Sequence, residues 1–213
     1  MSQLSEYLEL IKNEKETKLL PGNINNGLTI FGVPGNSAFT VKVDATVYAS
    51  NNNLQSYIVE INGLDLINIP KTSLEGFFGG LANLQKASFK SRNNITDMSN
   101  MFYSCSKLEE VDFSNVDTSN VTNMGNIFYN CNKLKTIPEI DTNKVVSMGS
   151  AFYNCIALST ESLNNILGMC ANATSYTGTK TLQSIGLTSA QATICTGLSN
   201  WASAQSAGWT TGY

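Results

Sequence analysis

Apolar positions recur at a nearly fixed interval in the middle of the chain and predict a repeating unit. A Phe-Tyr-x-Cys tetrad begins at Phe102, Phe128 and Phe152, so successive copies lie 26 and 24 residues apart. A period in this range is typical of solenoids, in which each unit buries its apolar side on a neighbour because one unit alone cannot close a core. This part of the chain is therefore predicted to be a stack of similar layers.

Each unit carries two consecutive patterns. An apolar residue seven positions before the Phe, a Met four before it and a Cys three after it give the i, i+3, i+7, i+10 stripe of a short helix. The segment Leu108-x-x-Val111-x-Phe113 that follows matches the strand of a leucine-rich repeat. The predicted core columns are Met98, Phe102, Cys105, Leu108, Met124, Phe128, Cys131, Leu134, Met148, Phe152, Cys155 and Leu158.

A degenerate copy stands 24 residues before the first full unit, at Leu74, Phe78, Leu84, Ala87 and Phe89. Gly79, Gly80 and Leu81 replace its Tyr-x-Cys, as expected of an edge unit.

The run FSNVDTSNVTNMGNIFYNCNKL, residues 113–134, resembles the repeats of BspA-like leucine-rich-repeat surface proteins of mycoplasmas and of gut or oral bacteria. The resemblance covers roughly residues 71–168, less than half of the chain. It implies an α+β fold, a leucine-rich-repeat-like solenoid with one short helix and one strand per repeat of about 24 residues. It also implies a binding or adhesive module rather than an enzyme.

Period-two patterns over residues 36–70 predict a small antiparallel sheet that caps the solenoid, with a turn at Gly63. Residues 169–213 are predicted to form a helical C-terminal cap, which follows a helix from Glu161 to Cys170. Within the cap we expect a strand at residues 181–187, a capping box at Thr188 and Gln191, and one helix closed at Gly208. The apolar stripe of that helix is Ile194, Leu198 and Trp201.

Residues 1–35 are predicted to be an attachment segment. An apolar stripe predicts a helix at residues 2–15, and this helix packs either on its own domain or within an oligomer, two interpretations of equal weight. A trimer is the oligomer suited to a tail fibre. The phrase LLPGNINNGLTIFGVPG, residues 19–35, resembles a segment of prophage tail and tail-fibre proteins of Gram-positive gut bacteria, and so does the ending WASAQSAGWTTGY. No secretory signal is recognised at the N-terminus.

Composition narrows the classes of function. The 213 residues carry a net charge of −3, which argues against nucleic acid or an anionic membrane as the partner. No apolar run approaches the ~20 residues that span a bilayer. Histidine is absent, so triads and most catalytic metal sites are not expected. We predict no cofactor.

Two sets of residues are candidates for binding. The first is the outer strand face at Lys86, Glu109, Glu110, Asp112 and Lys135, where Lys86–Glu110 and Glu109–Lys135 should form weak ion pairs. The second is Tyr103, Tyr129 and Tyr153, which either stack on sugar rings or flank the core, with partial burial favoured. A merely soluble strand face is an equal alternative to a receptor site.

The remaining reactive side chains favour structural roles. Cys105, Cys131 and Cys155 are expected to be core thiols rather than redox or metal groups. Asp117 and Asp141 suit turn capping better than a calcium site.

The sequence predicts a non-enzymatic, phage or prophage tail-associated protein that contacts a cell-surface protein or glycan. The alternative is a BspA-like bacterial adhesin, and both predictions place the chain outside the host cell. A hydrolase acting through Asp44, Glu60 and Asp65 is the least favoured hypothesis, because nothing in their spacing supports it.

Overall fold

The computed structural model describes residues 29–32, 39–42, 58–65, 72–91, 94–137 and 139–213. Strands β1 to β5 and helices α1 to α3 lie in this part of the chain. The strands are Thr29–Gly32, Phe39–Lys42, Ile58–Asp65, Lys86–Ser91 and Glu110–Val116, and the helices are Thr160–Asn172, Ser189–Cys195 and Trp201–Ser206. The helix predicted at residues 2–15 and most of the predicted attachment segment lie outside the described residues.

The strands form one sheet in the order β1-β2-β3-β4-β5. β1 and β2 are antiparallel, and the other neighbouring pairs are parallel. The predicted antiparallel pairing is therefore wrong for β2 and β3, whose connection at residues 43–57 is long enough for a parallel crossover. The turn predicted at Gly63 is also wrong, because β3 runs through it with a register shift between Ile61 and Leu64. Glycine inside a strand often marks such an irregularity.

The described residues between 72 and 158 form four stacked layers: layer 1 at residues 72–91, layer 2 at 94–116, layer 3 at 120–137 and layer 4 at 144–158. Parallel bridges join Ser73 to Asp97, Asp97 to Asn123 and Asn123 to Ser147, so equivalent positions of successive units are neighbours. A buried phenylalanine stack runs through all four layers, with centroid distances of 5.1, 5.5 and 6.1 Å; its members are Phe78, Phe102, Phe128 and Phe152. The assignment to the leucine-rich-repeat class stays a prediction.

The short helix predicted in each unit is wrong, and consecutive turns take its place. In layer 2 the N–H groups of Met98, Asn100, Phe102 and Ser104 donate to carbonyl oxygens of layer 3 at 2.7–2.9 Å. The N–H groups between them, such as that of Tyr103, donate to the carbonyl three residues earlier, as in β-turns. An α-helix would bond all of these groups four residues back within the segment. The apolar stripe fits both conformations, but the observed turns hydrogen-bond one layer to the next.

Each layer enters the left-handed backbone region at two recurring positions. In layer 2 these positions are Asn100 and Ser104, with φ of +56° and +59°. The equivalents are Gly76, Gly80, Asn126, Asn130, Ser150 and Asn154. Glycine adopts this conformation freely, and asparagine tolerates it better than most residues. The recurring asparagines are thus a sequence signal for turns.

The sheet ends at β5 because a helix replaces the next strand. The described residues of layer 3 form no strand beside β5, and only an isolated bridge from Thr136 to Glu110 continues the sheet. The Ser162 hydroxyl of α1 accepts a hydrogen bond from Ile137 N at 2.9 Å, and Asn165 Nδ2 donates to Ile137 O at 2.9 Å. These side chains satisfy backbone groups that an open sheet edge would leave unpaired. The strand predicted in this unit is therefore wrong.

Two of the C-terminal predictions are confirmed. α1 covers the helix predicted from Glu161 to Cys170. The capping box is present at Thr188 and Gln191, where it begins α2. The strand predicted at residues 181–187 is wrong, because these residues form turns that stack on layer 4, where Phe152 N donates to Ile185 O at 2.8 Å.

The single helix predicted before Gly208 is wrong, because α2 and α3 are separate. Asn200 lies in the break between them, and it is fixed to α1 by hydrogen bonds from its N and Nδ2 to Asn164 at 3.0 and 2.9 Å. Ile194, predicted to face inward, is 47% exposed. Gly208 follows α3 with φ of +93°.

The predicted core columns are at most 1% exposed, with the exception of Leu158. Leu158 is half-buried at the end of layer 4, where the chain turns into α1.

Candidate functional site

Three tyrosines form an aromatic column on the outside of layers 2 to 4, which we call the tyrosine column. The ring centroids of Tyr103 and Tyr129 lie 5.0 Å apart, and those of Tyr129 and Tyr153 lie 4.7 Å apart. The interplanar angles are 10° and 16°. Tyr103 and Tyr153 are 41% and 49% exposed, and Tyr129 between them is half-buried. Partial burial, favoured for all three, therefore holds for the middle ring.

The turns fix the positions of these rings. Each tyrosine directly follows a buried phenylalanine, so the two aromatic side chains point to opposite sides of the turn. Two asparagine pairs also join neighbouring layers: Asn126 Nδ2 donates to Asn100 Oδ1 at 3.2 Å, and Asn154 Nδ2 donates to Asn130 Oδ1 at 3.1 Å. Backbone and side-chain hydrogen bonds thus hold the column at the spacing of the layers.

Stacking determines which parts of the column a ligand can reach. The facing sides of neighbouring rings cover each other at about 5 Å, so no ligand fits between them. The ring edges and the two outer faces, of Tyr103 and Tyr153, remain. Layer 1 has Gly79 at the tyrosine position, so its turn adds no ring over Tyr103.

The outer strand face carries the two ion pairs that the sequence predicts. Lys86 Nζ lies 3.2 Å from Glu110 Oε2, and Lys135 Nζ lies 2.6 Å from Glu109 Oε2. The hydrogen bond from Lys135 is the largest cause that lowers the pKa of Glu109, followed by the charge of Lys135. All four side chains are about half exposed, so solvent screens both pairs and each contributes little to the stability of the fold.

Three aspartates engage in local turns. Asp112 accepts from Ser114 N at 2.8 Å, and the hydrogen bonds of Ser114 lower the pKa of Asp112. Asp117 accepts from the backbone and hydroxyl of Ser119, which likewise lowers its pKa. Asp141 accepts from the backbone N and the side-chain Nδ2 of Asn143. Within the described residues, no group of three or more His, Cys, Asp or Glu side chains is placed to hold a metal ion.

The cysteine column lies inside the stack. Cys105, Cys131 and Cys155 are buried free thiols, and each donates to a phenylalanine carbonyl of the preceding layer at 3.0–3.1 Å. Burial raises the pKa of Cys105 and of Cys155 to about 12. A thiolate, the reactive and metal-binding form, is therefore disfavoured at neutral pH.

The carboxylates considered for a hydrolase are only partly described. Asp44 lies outside the described residues, while Glu60 and Asp65 belong to β3. Glu60 is half-buried.

Comparison with protein families gives one match. The family described as "Mycoplasma protein of unknown function, DUF285" matches residues 50–182. This span is more than half of the chain. The chain belongs to this family. The DUF285 match is wider than the resemblance over residues 71–168, since it includes β3 before layer 1 and the rest of α1 after layer 4. No curated protein and no solved structure matches the chain.

Membership in the DUF285 family assigns no activity, because the description of the family records none. In the described part of the chain, no helix combines the length and the apolar character that crossing a bilayer requires.

Sequence reasoning identified the tyrosine column from the repeated tetrad but overlooked residues near its Tyr153 end. These are Gln183, Gly186 and Tyr213, which line a cleft beside Tyr153. The predicted strand at residues 181–187 and the predicted helical cap gave no reason to expect them next to that ring. The two glycines at Gly186 and Gly212 were the available signal, because glycine often marks a turn or a close approach of two segments.

Proposed function

We propose that this chain is a non-catalytic binding module in which a leucine-rich-repeat-like solenoid contacts a glycan or protein on a host cell surface. The tyrosine column is the observation that carries the proposal. Its rings are already ordered by stacking at 5.0 and 4.7 Å, so a ligand would order few side chains on binding. Tyrosine also offers a large contact area with a polar hydroxyl group, which suits it to interfaces.

The strand face supplies a second contact surface in this proposal. Lys86, Glu110, Glu109 and Lys135 alternate in sign across neighbouring layers. Such a face recognises a partner through complementary charge, which affects association rate and specificity more than affinity. A protein partner would use this face, and a glycan would use the tyrosine column.

We infer that the module is carried on a phage or prophage-derived tail, outside the host cell. The resemblance of residues 19–35 and 201–213 to tail proteins supports this placement, with residues 1–35 as the attachment segment and a trimer as the expected assembly. The alternative is a BspA-like adhesin on a bacterial surface, which the resemblance of residues 71–168 supports equally well.

A glycan array and a host-cell adhesion assay test the binding proposal. The variant Tyr103→Ala/Tyr129→Ala/Tyr153→Ala should lose glycan and cell binding while keeping the circular dichroism spectrum of the parent. The variant Lys86→Ala/Lys135→Ala should lose binding instead if the partner is a protein held by the strand face. Lys144→Ala is the control, because this exposed lysine donates to Asn120 Oδ1 and belongs to neither surface. Unchanged adhesion in both multiple variants would refute the proposal.

Location is tested separately by gold-labelled antibody on purified particles and on fractionated cells. Label on particle tails supports the phage assignment, and label on the cell envelope supports the adhesin. Label confined to the cytosol contradicts both. A hydrolase screen with turnover abolished by Asp65→Asn would favour the enzymatic alternative.

A further inference from the structure

A cleft of about 300 Å³ opens at the Tyr153 end of the tyrosine column, and we call it the Tyr153 cleft. Two aromatic rings, two amides, an apolar side chain and a hydroxyl line it: Tyr153, Tyr213, Asn154, Gln183, Leu187 and Thr188. Its volume is at the lower end of the range of small-molecule sites, about 300–1,000 Å³. The cleft is thus suited to one ring-sized ligand.

Two glycines, one in the lining and one beside Tyr213, allow the close packing that forms the cleft. Gly186 has φ of +97°, and a Cβ atom there would lie 2.4 Å from Tyr153 N and 2.6 Å from Tyr153 Cα. Gly212 has φ of +82°, and its Cβ atom would lie 2.8 Å from Thr181 Cβ and 3.0 Å from Gln183 Cβ. No other residue fits either place without a shift of the chain. The turn at residues 183–188 and the segment before Tyr213 are therefore held against their neighbours by close packing.

The fold engages two of the lining groups, because the Thr188 hydroxyl bonds to Gln191 and Asn154 Nδ2 donates to Asn130 Oδ1. Other lining groups remain open to a ligand. The Tyr213 hydroxyl donates to Leu187 O, and the residue is still 62% exposed, so its ring is accessible to a ligand. Tyr153 stacks on Tyr129 through one face, and no further described ring covers the other. The side-chain amide of Gln183 is exposed and makes no hydrogen bond to another described residue.

We infer that the Tyr153 cleft binds one neutral sugar ring, a hexose or N-acetylhexosamine at the end of a glycan. The inference rests on the proposed function and adds to it a site and a class of ligand. A pyranose ring has an apolar C–H face that packs on an aromatic ring, and its hydroxyl groups pair with amides such as those of Asn154 and Gln183.

The absence of charged side chains in the described lining favours a neutral sugar over a charged one. Among the described residues that line the cleft, no side chain is charged. A phosphate or carboxylate on the ligand would lose water there without gaining an opposite charge, which is unfavourable. A neutral sugar exchanges its hydrogen bonds with water for hydrogen bonds with amides and avoids this cost.

Saturation-transfer NMR and titration of the full chain test the inference. The neutral probes are the methyl glycosides of glucose, galactose, mannose, N-acetylglucosamine and N-acetylgalactosamine, and the charged probes are N-acetylneuraminic acid and glucose 6-phosphate. We expect saturable binding of at least one neutral probe and none of the charged ones. Tyr213→Ala and Gln183→Ala should each weaken it by about tenfold or more, the scale of losing a stacked aromatic contact or a key polar one.

Matched variants separate the cleft from general effects on the fold. Tyr213→Phe keeps the ring without its anchoring hydroxyl and should retain more affinity than Tyr213→Ala. Gln205→Ala removes an exposed amide on α3 that does not line the cleft and should leave binding unchanged. Absence of saturable sugar binding, preference for a charged probe, or equal loss in Gln205→Ala would overturn the inference.

The cleft and the proposed function fail in distinguishable ways. If the chain adheres to cells through the tyrosine column but Tyr213→Ala and the neutral sugars leave adhesion unchanged, the cleft inference is overturned and the proposed function stands. If neutral sugars bind in the cleft but the chain adheres to no host cell, the cleft inference stands and the proposed function fails.

Discussion

At the scale of single residues, the layers depend on side chains that tolerate a left-handed backbone. Asn130 has φ of +63°, and its Oδ1 accepts from Asn154 Nδ2 at 3.1 Å. Asn130→Ala and Asn130→Gly remove the same amide, but only alanine meets the left-handed penalty of about 1–2 kcal/mol. Since the flexibility of glycine offsets about 0.5–1 kcal/mol of this, we expect Asn130→Ala to be less stable by about 1 kcal/mol. Urea unfolding of both variants measures the difference.

Asn132 provides the control for this comparison, because it lies in the same layer and is not in the left-handed region. There the order should reverse, with glycine less stable than alanine. Equal stability of the two Asn130 variants would show that the backbone conformation of this turn carries no strain.

Buried thiols make stability depend on alkaline pH. Burial raises the pKa of Cys105 to about 12 from its ordinary value of 9.0. Between these values the unfolded chain releases a proton that the folded chain keeps, so the free energy of unfolding falls as pH rises. In Cys105→Ala this free energy should fall less steeply than in the parent, by about 1.4 kcal/mol per pH unit. Urea unfolding at a series of pH values measures the slopes.

Below roughly pH 8 the two slopes should coincide, since the thiol is almost fully protonated in both states there. Parallel curves between roughly pH 9.5 and 11 would mean that Cys105 ionises as easily in the folded protein as in the unfolded chain.

At the scale of elements, α1 supplies hydrogen bonds to the sheet edge that a further strand would otherwise supply. Ser162 accepts from Ile137 N at 2.9 Å and donates to Lys135 O at 3.0 Å, so one hydroxyl group serves two backbone groups at the sheet edge. Ser162→Ala leaves both without this partner and should lower the free energy of unfolding by about 1–3 kcal/mol. Ser203→Ala, an exposed change on α3, should have an effect within about 0.5 kcal/mol. Chemical denaturation compares them, and equal effects would show that water replaces Ser162 at the edge.

The elements differ in how far the sequence could predict them. The helix at Glu161 and the capping box at Thr188 were predictable, because cap residues act through local hydrogen bonds. The turns at Asn100 were mistaken for a helix, since their apolar stripe fits a helix as well and the hydrogen bonds to the next layer leave no mark in the local sequence. In the same way, α1 takes the place of a strand through the contacts of Ser162 with Ile137 N and Lys135 O. No sequence pattern within α1 indicates these tertiary contacts.

The candidate site shows the same division. The tyrosine column follows from the repeat, because equivalent residues of stacked units must be neighbours. The Tyr153 cleft joins Tyr153 to Gln183 and Tyr213, which are far apart in sequence and belong to no repeat. Only the packing of Gly186 and Gly212 brings them together, and a glycine in the sequence does not indicate which segment will pack against it.

At the scale of the whole molecule, the described residues share one hydrophobic core from Ile61 in β3 to Trp209 after α3. A single layer cannot bury its own apolar face, so the layers and the C-terminal helices should unfold together. Phe78→Leu, a change in layer 1 next to Phe102 at 5.1 Å, tests this at a distance. Both tryptophans, Trp201 and Trp209, lie in the C-terminal part and report there by fluorescence, whereas circular dichroism reports on the whole chain.

We expect Phe78→Leu to lower the stability by about 1 kcal/mol and the Tm by roughly 2–4 °C. The shift should be the same by fluorescence and by circular dichroism, because a core that melts as one unit transmits a loss in layer 1 to the tryptophans. Lys90→Ala, an exposed change on β4, should shift neither signal. A fluorescence transition that stays in place while the dichroism transition moves or splits would mean that the C-terminal helices fold independently of the layers.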